Sequence, residues 1–190
     1  MRKLRITAFW RASLAWILVA ATNGLADSPV QAVSLAMPSA SAVGGNSDSL
    51  GSVISADGRF VLFLSTAGNL STNDDDGSRF VDVFLRNRTN GTTTLVSVNL
   101  TGAGGGNGHS VVPVISTDGR YVAFDSEANN LVANDTNGVS DVFLRDLQFG
   151  TTMMLSVNSA GTGSGDGASS SPVMSADGRY VAFVSAAGDL

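Results

Sequence analysis

The sequence predicts an all-β fold built from a repeat of about sixty residues, and three observations support this prediction. Glycine is abundant, with 22 of 190 residues, whereas charged residues make up only 14% of the chain. This composition suits short strands joined by tight turns better than it suits solvent-exposed helices. Sequence markers recur in a fixed order, and apolar and polar residues alternate between them with a period of two, as in half-buried strands.

Three markers define the repeat. The first, Ser-x-Asp-Gly-Arg followed by an aromatic residue, begins at Ser55, Ser116 and Ser175, with spacings of 61 and 59 residues. The other two each recur after 59 residues: Asp-Val-Phe-Leu-Arg begins at Asp82 and Asp141, and a segment containing Ser-Val-Asn covers 95–99 and 154–158. Three markers in the same order are not an accident of composition, so the repeat is real.

Each repeat is predicted to form four short strands, as the second repeat illustrates. An Asp-Gly pair between two apolar runs is a strong hairpin signal, because glycine adopts a positive φ without strain. Alternating side chains continue on both sides of a polar loop, and a turn containing Gly150 precedes the last strand. The four predicted strands are 111–116, 121–126, 141–146 and 151–158.

Four antiparallel strands per repeat, with no helical stretch, match one blade of a β-propeller. The sequence therefore predicts a partial β-propeller of about two and a half four-stranded antiparallel blades. Blade 1 is expected at about 46–109, blade 2 at about 110–168 and an incomplete blade 3 at about 169–190. The alternative is a β-sandwich built of hairpins, whose strands seldom repeat their sequences this closely.

The first marker, with its Ser-x-Asp-Gly-Arg-Tyr/Phe-Val-x-Phe pattern, resembles the TolB-type, WD-repeat-like β-propeller repeats. The resemblance covers roughly residues 46–190, and Asp-Gly-Arg-Tyr-Val-Ala-Phe at 118–124 and 177–183 is specific for that repeat class. It implies an exported bacterial propeller that serves as a rigid binding platform, or the propeller domain of a serine peptidase.

The N-terminal segment carries a secretory signal pattern. A basic start at Arg2 and Lys3 precedes a short apolar run, and small residues follow near Ala26. We therefore expect a signal peptide at 1–26, a linker at 27–45 and a periplasmic or secreted location; the alternative is a buried or amphipathic N-terminal helix. No other stretch is apolar enough to cross a bilayer, so no membrane insertion is expected after cleavage.

The net charge and the absence of cysteine exclude some classes of partner and of chemistry. Without residues 1–26 the chain has 7 Arg (11 minus 4 basic residues) against 16 acids, a formal charge of −9. A surface of this sign repels phosphate backbones, so no nucleic acid is expected. Cysteine is absent, which removes disulfides and thiol nucleophiles.

The number of blades raises a question of closure. A propeller closes with roughly four to eight blades, because each blade buries its faces against two neighbours. With fewer blades, apolar sheet faces at both ends are expected to be exposed. We therefore expect the chain to be a fragment of a longer protein; if it is complete, self-association is expected.

No catalytic residues are predicted. His109 is the only histidine, and the second repeat has Ala168 at that position, which indicates a variable loop residue. No Gly-x-Ser-x-Gly nucleophile elbow occurs. Arg59, Arg120 and Arg179 recur after the turn in every repeat, which favours structural pairing with Asp over a single active site.

Cation binding is the sharpest chemical hypothesis. Two Asn/Asp-rich loops around a glycine, 73–77 and 134–138, precede Asp82 and Asp141 and gather the oxygen ligands that Ca²⁺ prefers. The alternative is a set of Asx turns that cap the loop before the third strand. No cofactor other than Ca²⁺ is indicated, and its expected ligands are Asp74, Asp76, Asp135 and Asn137.

Three functions are consistent with these features. The first is an exported, non-catalytic propeller that binds an unidentified protein partner or serves as a scaffold. The second is the propeller domain of an exported hydrolase or peptidase whose catalytic domain lies elsewhere. The third, compatible with either, is a calcium-stabilised surface module.

Overall fold

The structure is a computed structural model, and it describes residues 44–74 and 79–190. The predicted signal peptide at 1–26 and nearly all of the predicted linker at 27–45 lie outside the described residues and stay predictions. Within the described ranges the chain is all-β, and none of it forms a helix that could span a membrane.

Ten strands form three antiparallel sheets in the described part of the chain. The strands are β1 (Ser49–Ile54), β2 (Phe60–Ser65), β3 (Asp82–Asn87), β4 (Thr92–Leu95), β5 (Ser110–Ile115), β6 (Tyr121–Ser126), β7 (Asp141–Asp146), β8 (Thr151–Met154), β9 (Ser169–Met174) and β10 (Val181–Ser185). Sheet 1 has the order β1-β2-β3-β4, sheet 2 has the order β5-β6-β7-β8, and sheet 3 pairs β9 with β10. Consecutive strands are neighbours throughout, as in the blades of a propeller.

The strand predictions for the second repeat are largely confirmed. The second and third strands have the predicted bounds, and the first begins one residue earlier, at Ser110. The fourth strand ends at Met154, so its predicted end at Asn158 is wrong. The reason is local. The backbone amide of Val142 donates a hydrogen bond to the Ser156 hydroxyl at 3.0 Å, so a side-chain oxygen takes the place of a backbone carbonyl in the pairing of the two strands.

The first strand of every sheet contains a β-bulge. The pairing register shifts within β1, β5 and the β9–β10 pair. At equivalent positions of the three repeats Gly51, Val112 and Ser171 have φ values of 49°, 49° and 57°. A positive φ is natural for glycine but strained for a β-branched valine.

The main core lies between sheet 1 and sheet 2. Leu62 and Leu85 from sheet 1 belong to the same buried cluster as Phe124 and Phe143 from sheet 2. The two sheets therefore pack face to face, which is how neighbouring blades of a propeller meet. Sheet 1 covers the face of β6 that carries Phe124, and sheet 3 covers the opposite face, where Ser171 contacts Asp125 and Gly178 contacts Tyr121. Both faces of β6 are therefore buried, whereas one face of an antiparallel sheet is often solvated.

A glycine–aromatic contact recurs between the sheets. A side-chain carbon at Gly119 would overlap the Phe60 ring, and one at Gly178 would lie 2.8 Å from Cδ2 of Tyr121. The Asp-Gly turns of the second and third repeats therefore pack against the aromatic residue of the preceding repeat. This contact explains why both the glycine and the aromatic residue recur in the first marker.

Backbone hydrogen bonds also join the sheets at equivalent places. The amide of Ser110 donates to the Val81 carbonyl, and the amide of Ser169 donates to the Ser140 carbonyl, both at 2.8 Å. The start of each inner strand is thereby fixed to the segment before the third strand of the preceding sheet.

The two outer faces differ. Tyr180 and Val184 of sheet 3 and its turn are 68% and 67% exposed, as the sequence predicts for an end sheet. The same prediction is wrong for sheet 1, where Phe63 and Phe84 are buried. Their cluster includes side chains from the segments that follow β2 and β4, namely Ala67, Leu70 and Val98.

Candidate functional site

The first marker builds the same hydrogen-bonded turn three times. In the second repeat the Ser116 hydroxyl donates to Asp118 at 2.6 Å and accepts the Tyr121 amide at 2.9 Å, and the Arg120 amide donates to Asp118 at 3.0 Å. The equivalent bonds occur in the turns that begin at Ser55 and Ser175. The polar residues that recur in this marker therefore have a structural role.

These hydrogen bonds lower the pKa of the turn carboxylates. The Arg59 amide and guanidinium, with the Ser55 hydroxyl, lower the pKa of Asp57 from 3.8 to about 2. The pKa of Asp118 and that of Asp177 are lowered by the same kind of serine and backbone donors.

The predicted pairing of the repeated arginines with Asp is confirmed for two of the three. Arg59 forms an ion pair with Asp57, whereas Arg120 reaches a different carboxylate, Asp146, at 2.7 Å. Among the described residues Arg179 has no ion pair, and its guanidinium lies 5.8 Å from the centre of the Tyr180 ring.

The inner strands of the three sheets converge on one apolar cleft. Its volume is about 340 Å³, and aliphatic side chains from the ends of β1, β5 and β9 supply most of its lining. The lining residues are Val53, Ile54, Ser55, Ala56, Val114, Ile115, Thr117, Val173 and Met174. The first strand of each repeat is thus the innermost one, and the cleft occupies the position of a propeller's central channel.

The second and third markers form a shared latch. The Ser156 hydroxyl donates to Oδ1 of Asp141 at 2.5 Å, and in sheet 1 the Ser97 hydroxyl donates to Oδ1 of Asp82 at 2.6 Å. In each case the same serine oxygen accepts the amide that follows the aspartate. This latch explains why the two markers recur with a constant separation.

A second buried carboxylate lies beside the latch of sheet 2. Asp135 is 7% exposed and Asp141 is fully buried. Burial, together with the nearby Asp141 carboxylate, raises the pKa of Asp135 from 3.8 to about 6. Burial also raises the pKa of Asp141, against the hydrogen bonds from Ser156 and Asn137 that favour its ionised form.

The residues expected to bind Ca²⁺ have different surroundings. Asp74 is buried and lines a small cavity with Asp82, at the position that Asp135 and Asp141 occupy in the next repeat. Asn137 accepts the Val139 amide at 3.0 Å and donates to the Gly165 carbonyl at 2.9 Å, so its side chain stabilises the loop. Asp76 lies outside the described residues.

His109 lies in the packing between sheets. Its Nδ1 accepts the Val81 amide at 3.0 Å, and its ring meets the Phe80 ring edge-on at 5.3 Å. The only histidine of the sequence therefore has a structural environment in this fold. In the described ranges no group of three or more Asp, Glu, His or Cys is arranged to hold a metal.

Sequence reasoning missed two features of the site. Asp141 was recognised as a flanking residue but not as the partner of Asp135, although the constant spacing of the serine marker was a signal. Asp125 was not singled out; it is buried where sheet 1 has Leu64, its Oδ2 accepts the Ser171 amide at 3.4 Å and its Oδ1 has no hydrogen-bond partner. A polar residue at an apolar repeat position was the available signal.

No protein-family model matches the sequence, and a comparison with curated proteins finds no match. Solved structures do resemble it. The propeller domain of the Trilobed protease from Pyrococcus furiosus, which has an open velcro topology, is 16% identical with a TM-score of 0.46, over 73% of this chain and 34% of that one.

Two TolB structures are also similar. A putative TolB from Agrobacterium tumefaciens is 21% identical with a TM-score of 0.44, over 70% of this chain and 36% of its own. TolB from Acinetobacter baumannii is 19% identical with a TM-score of 0.40, over 73% of this chain and 26% of its own. The chain thus spans about a quarter to a third of the length of these proteins. The described residues of the chain form a partial β-propeller, with two four-stranded sheets and one two-stranded sheet.

Proposed function

We propose that the chain is an exported, non-catalytic binding platform that holds an apolar segment of a partner protein in the cleft between its inner strands. The chemistry of the cleft carries this proposal. Its lining consists of aliphatic side chains with small hydroxyl groups, and none of the lining residues is titratable. Such a surface suits the burial of a neutral apolar segment, whereas acid–base or nucleophilic chemistry needs reactive groups.

The exposure of the cleft residues also favours binding. Ile54 and Val173 are more than half exposed, and Val53 is 43% exposed, although all three lie on a rigid sheet. Apolar side chains grouped on a rigid concave surface are typical of protein-binding sites. Because the lining is uncharged, binding is expected to depend little on salt, unlike association driven by the acidic surface.

Export is part of the proposal because of the sequence pattern at 1–26, and it places the partner in the periplasm or outside the cell. A propeller presents its cleft on a scaffold that needs no conformational change. The platform therefore acts by holding a partner in position.

Photo-cross-linking in the source cells tests this function. A benzophenone amino acid is introduced at Ile54 or Val173, and as a matched control at Thr94, an exposed residue of the outer strand β4. We expect a discrete adduct with the same protein at both cleft positions and no such adduct at Thr94. No adduct in the cleft, or the same adduct at the control position, would overturn the proposal.

The captured protein then allows a quantitative test with the purified full chain. Ile54→Ser removes most of an aliphatic side chain that is worth about 1.5–3 kcal/mol when buried, so the affinity should fall roughly tenfold or more. Thr94→Ser should leave the affinity unchanged. Equal affinities of the two variants would contradict binding in the cleft.

A further inference from the structure

Two carboxylates of sheet 2 are buried together without a positive partner. Asp135 and Asp141 are at least nine-tenths buried, and Oδ1 of Asp135 has no hydrogen-bond partner. The ion pairs found within the described ranges involve other carboxylates, Asp57 and Asp146. A buried carboxylate is strongly unfavourable unless a cation or sufficient donors compensate it.

Separate hydrogen bonds fix the positions of the two carboxylates. The latch from Ser156 holds Asp141 at the start of β7. The loop that carries Asp135 is held by the Asn137 hydrogen bond to Gly165 and by the Ser164 hydroxyl, which accepts the Thr136 amide at 3.2 Å. The two carboxylates are therefore held close together by the fold and not by each other.

Sheet 1 places the equivalent aspartates beside a small cavity. Asp74 and Asp82, the equivalents of Asp135 and Asp141, line a cavity of about 10 Å³ together with residues 65–68 of the segment that follows β2. This volume is that of about one water molecule or one small ion. Two successive repeats thus place a carboxylate pair at the same point of the blade.

We propose that each of these carboxylate pairs, Asp135 with Asp141 and Asp74 with Asp82, binds one Ca²⁺ ion between the loop before the third strand and the start of that strand. The available donors are all oxygens, which favours a hard cation over a transition metal. Two carboxylates match the charge of a divalent ion, and backbone carbonyls, hydroxyls and water complete its coordination. With two carboxylates per site the affinity is expected in the range of about 10⁻⁴–10⁻³ M that is typical of extracellular modules.

The proposed ligands differ from those that the sequence suggested. The side-chain oxygen of Asn137 already accepts the Val139 amide, so Asn137 supports the loop, and Asp141 takes its place as a ligand. Bound Ca²⁺ would fasten the loop to the sheet at the point where the next blade begins to pack. The ion would therefore stabilise the propeller.

Calcium-dependent melting of the full chain tests the proposal. After treatment with a chelator, Ca²⁺ at about ten times the dissociation constant should raise the melting temperature by about 6–11 °C, because both sites contribute. Tb³⁺ luminescence, displaced by Ca²⁺, should report two sites per chain. Asp135→Asn and Asp141→Asn should each remove one site, whereas Asp48→Asn, at an exposed aspartate, should remove none.

The result without calcium separates the proposal from a proton shared by the two carboxylates. Asn keeps the shape of Asp and removes a buried charge, so both variants should fold at least as stably as the parent chain in chelator. If the pair only shares a proton, Ca²⁺ will change the melting temperature of neither the parent chain nor any variant, and the proposal is overturned. It is also overturned if Ca²⁺ raises the melting temperature of the Asp74→Asn/Asp135→Asn double variant as much as that of the parent.

Discussion

Replacing Gly119 by alanine probes the packing of one blade on the next. Gly119 has a φ of +77°, and an added methyl group would overlap the Phe60 ring of the preceding repeat. Two costs are therefore expected: about 1–2 kcal/mol for a left-handed conformation at a residue with a side chain, and about 1–3 kcal/mol for displacing a packed ring.

Gly102→Ala is the matched control. Gly102 has a φ of +75°, but a methyl group there would meet nothing within 4 Å. It therefore carries the conformational cost without the contact between blades. The difference between the two variants isolates the contact, and we expect Gly119→Ala to lose about 1–3 kcal/mol more than Gly102→Ala.

The assay is urea unfolding of the full chain, followed by far-UV circular dichroism. Adding Phe60→Ala to both variants completes a double-mutant cycle, because the overlap disappears when the ring is removed. In the Phe60→Ala background, Gly119→Ala should then lower the free energy of unfolding by little more than Gly102→Ala does. Equal losses in the parent background would refute the face-to-face stacking of the blades.

Three further predictions concern single positions. Val112→Gly should raise the free energy of unfolding by about 0.5–1 kcal/mol, because it relieves a positive φ at the place where the first repeat has Gly51; a loss in chemical denaturation would contradict the strain. Asp125→Leu should stabilise the chain by about 1–3 kcal/mol at pH 7. The substitution removes a buried carboxylate, one oxygen of which has no hydrogen-bond partner, and introduces the leucine that the first repeat has at the equivalent position, Leu64. A lower melting temperature would show that the carboxylate is needed. Acid should also destabilise the fold, because the pKa of Asp57 is lower in the folded state than in the unfolded state. The stabilisation from this carboxylate is present above about pH 4 and is lost as the pH falls towards 2. In melting curves over this range, the melting temperature of Asp57→Asn should fall less with acid than that of the parent.

Much of the architecture could be predicted from the sequence because it is local and repeated. Alternation and Asp-Gly turns placed the strands 121–126 and 141–146 correctly. The end of the fourth strand was not predicted, because it depends on a hydroxyl, Ser156, reaching a backbone amide of a neighbouring strand. Alternation along one strand carries no information about such a contact.

The site was less predictable for a related reason. The Asn/Asp-rich loops were visible in the sequence, but the pairing of Asp135 with Asp141 depends on how the loop returns to the sheet. Exposed apolar faces were predicted for both end sheets, and Tyr180 of the last sheet is exposed, whereas the burial of Phe63 in the first sheet depends on side chains from connecting segments. Contacts between distant segments are set by the fold and not by local pattern.

Amide hydrogen exchange at Ser110 and Ser169 tests the stacking of the blades most directly. In the structure both amides donate to carbonyls of the preceding repeat at 2.8 Å, and both residues are buried. Face-to-face packing of the sheets predicts that they exchange about as slowly as the amide of Phe124 in the central strand β6. If they exchange at the rate of an open loop while Phe124 remains protected, the sheets do not pack as neighbouring blades.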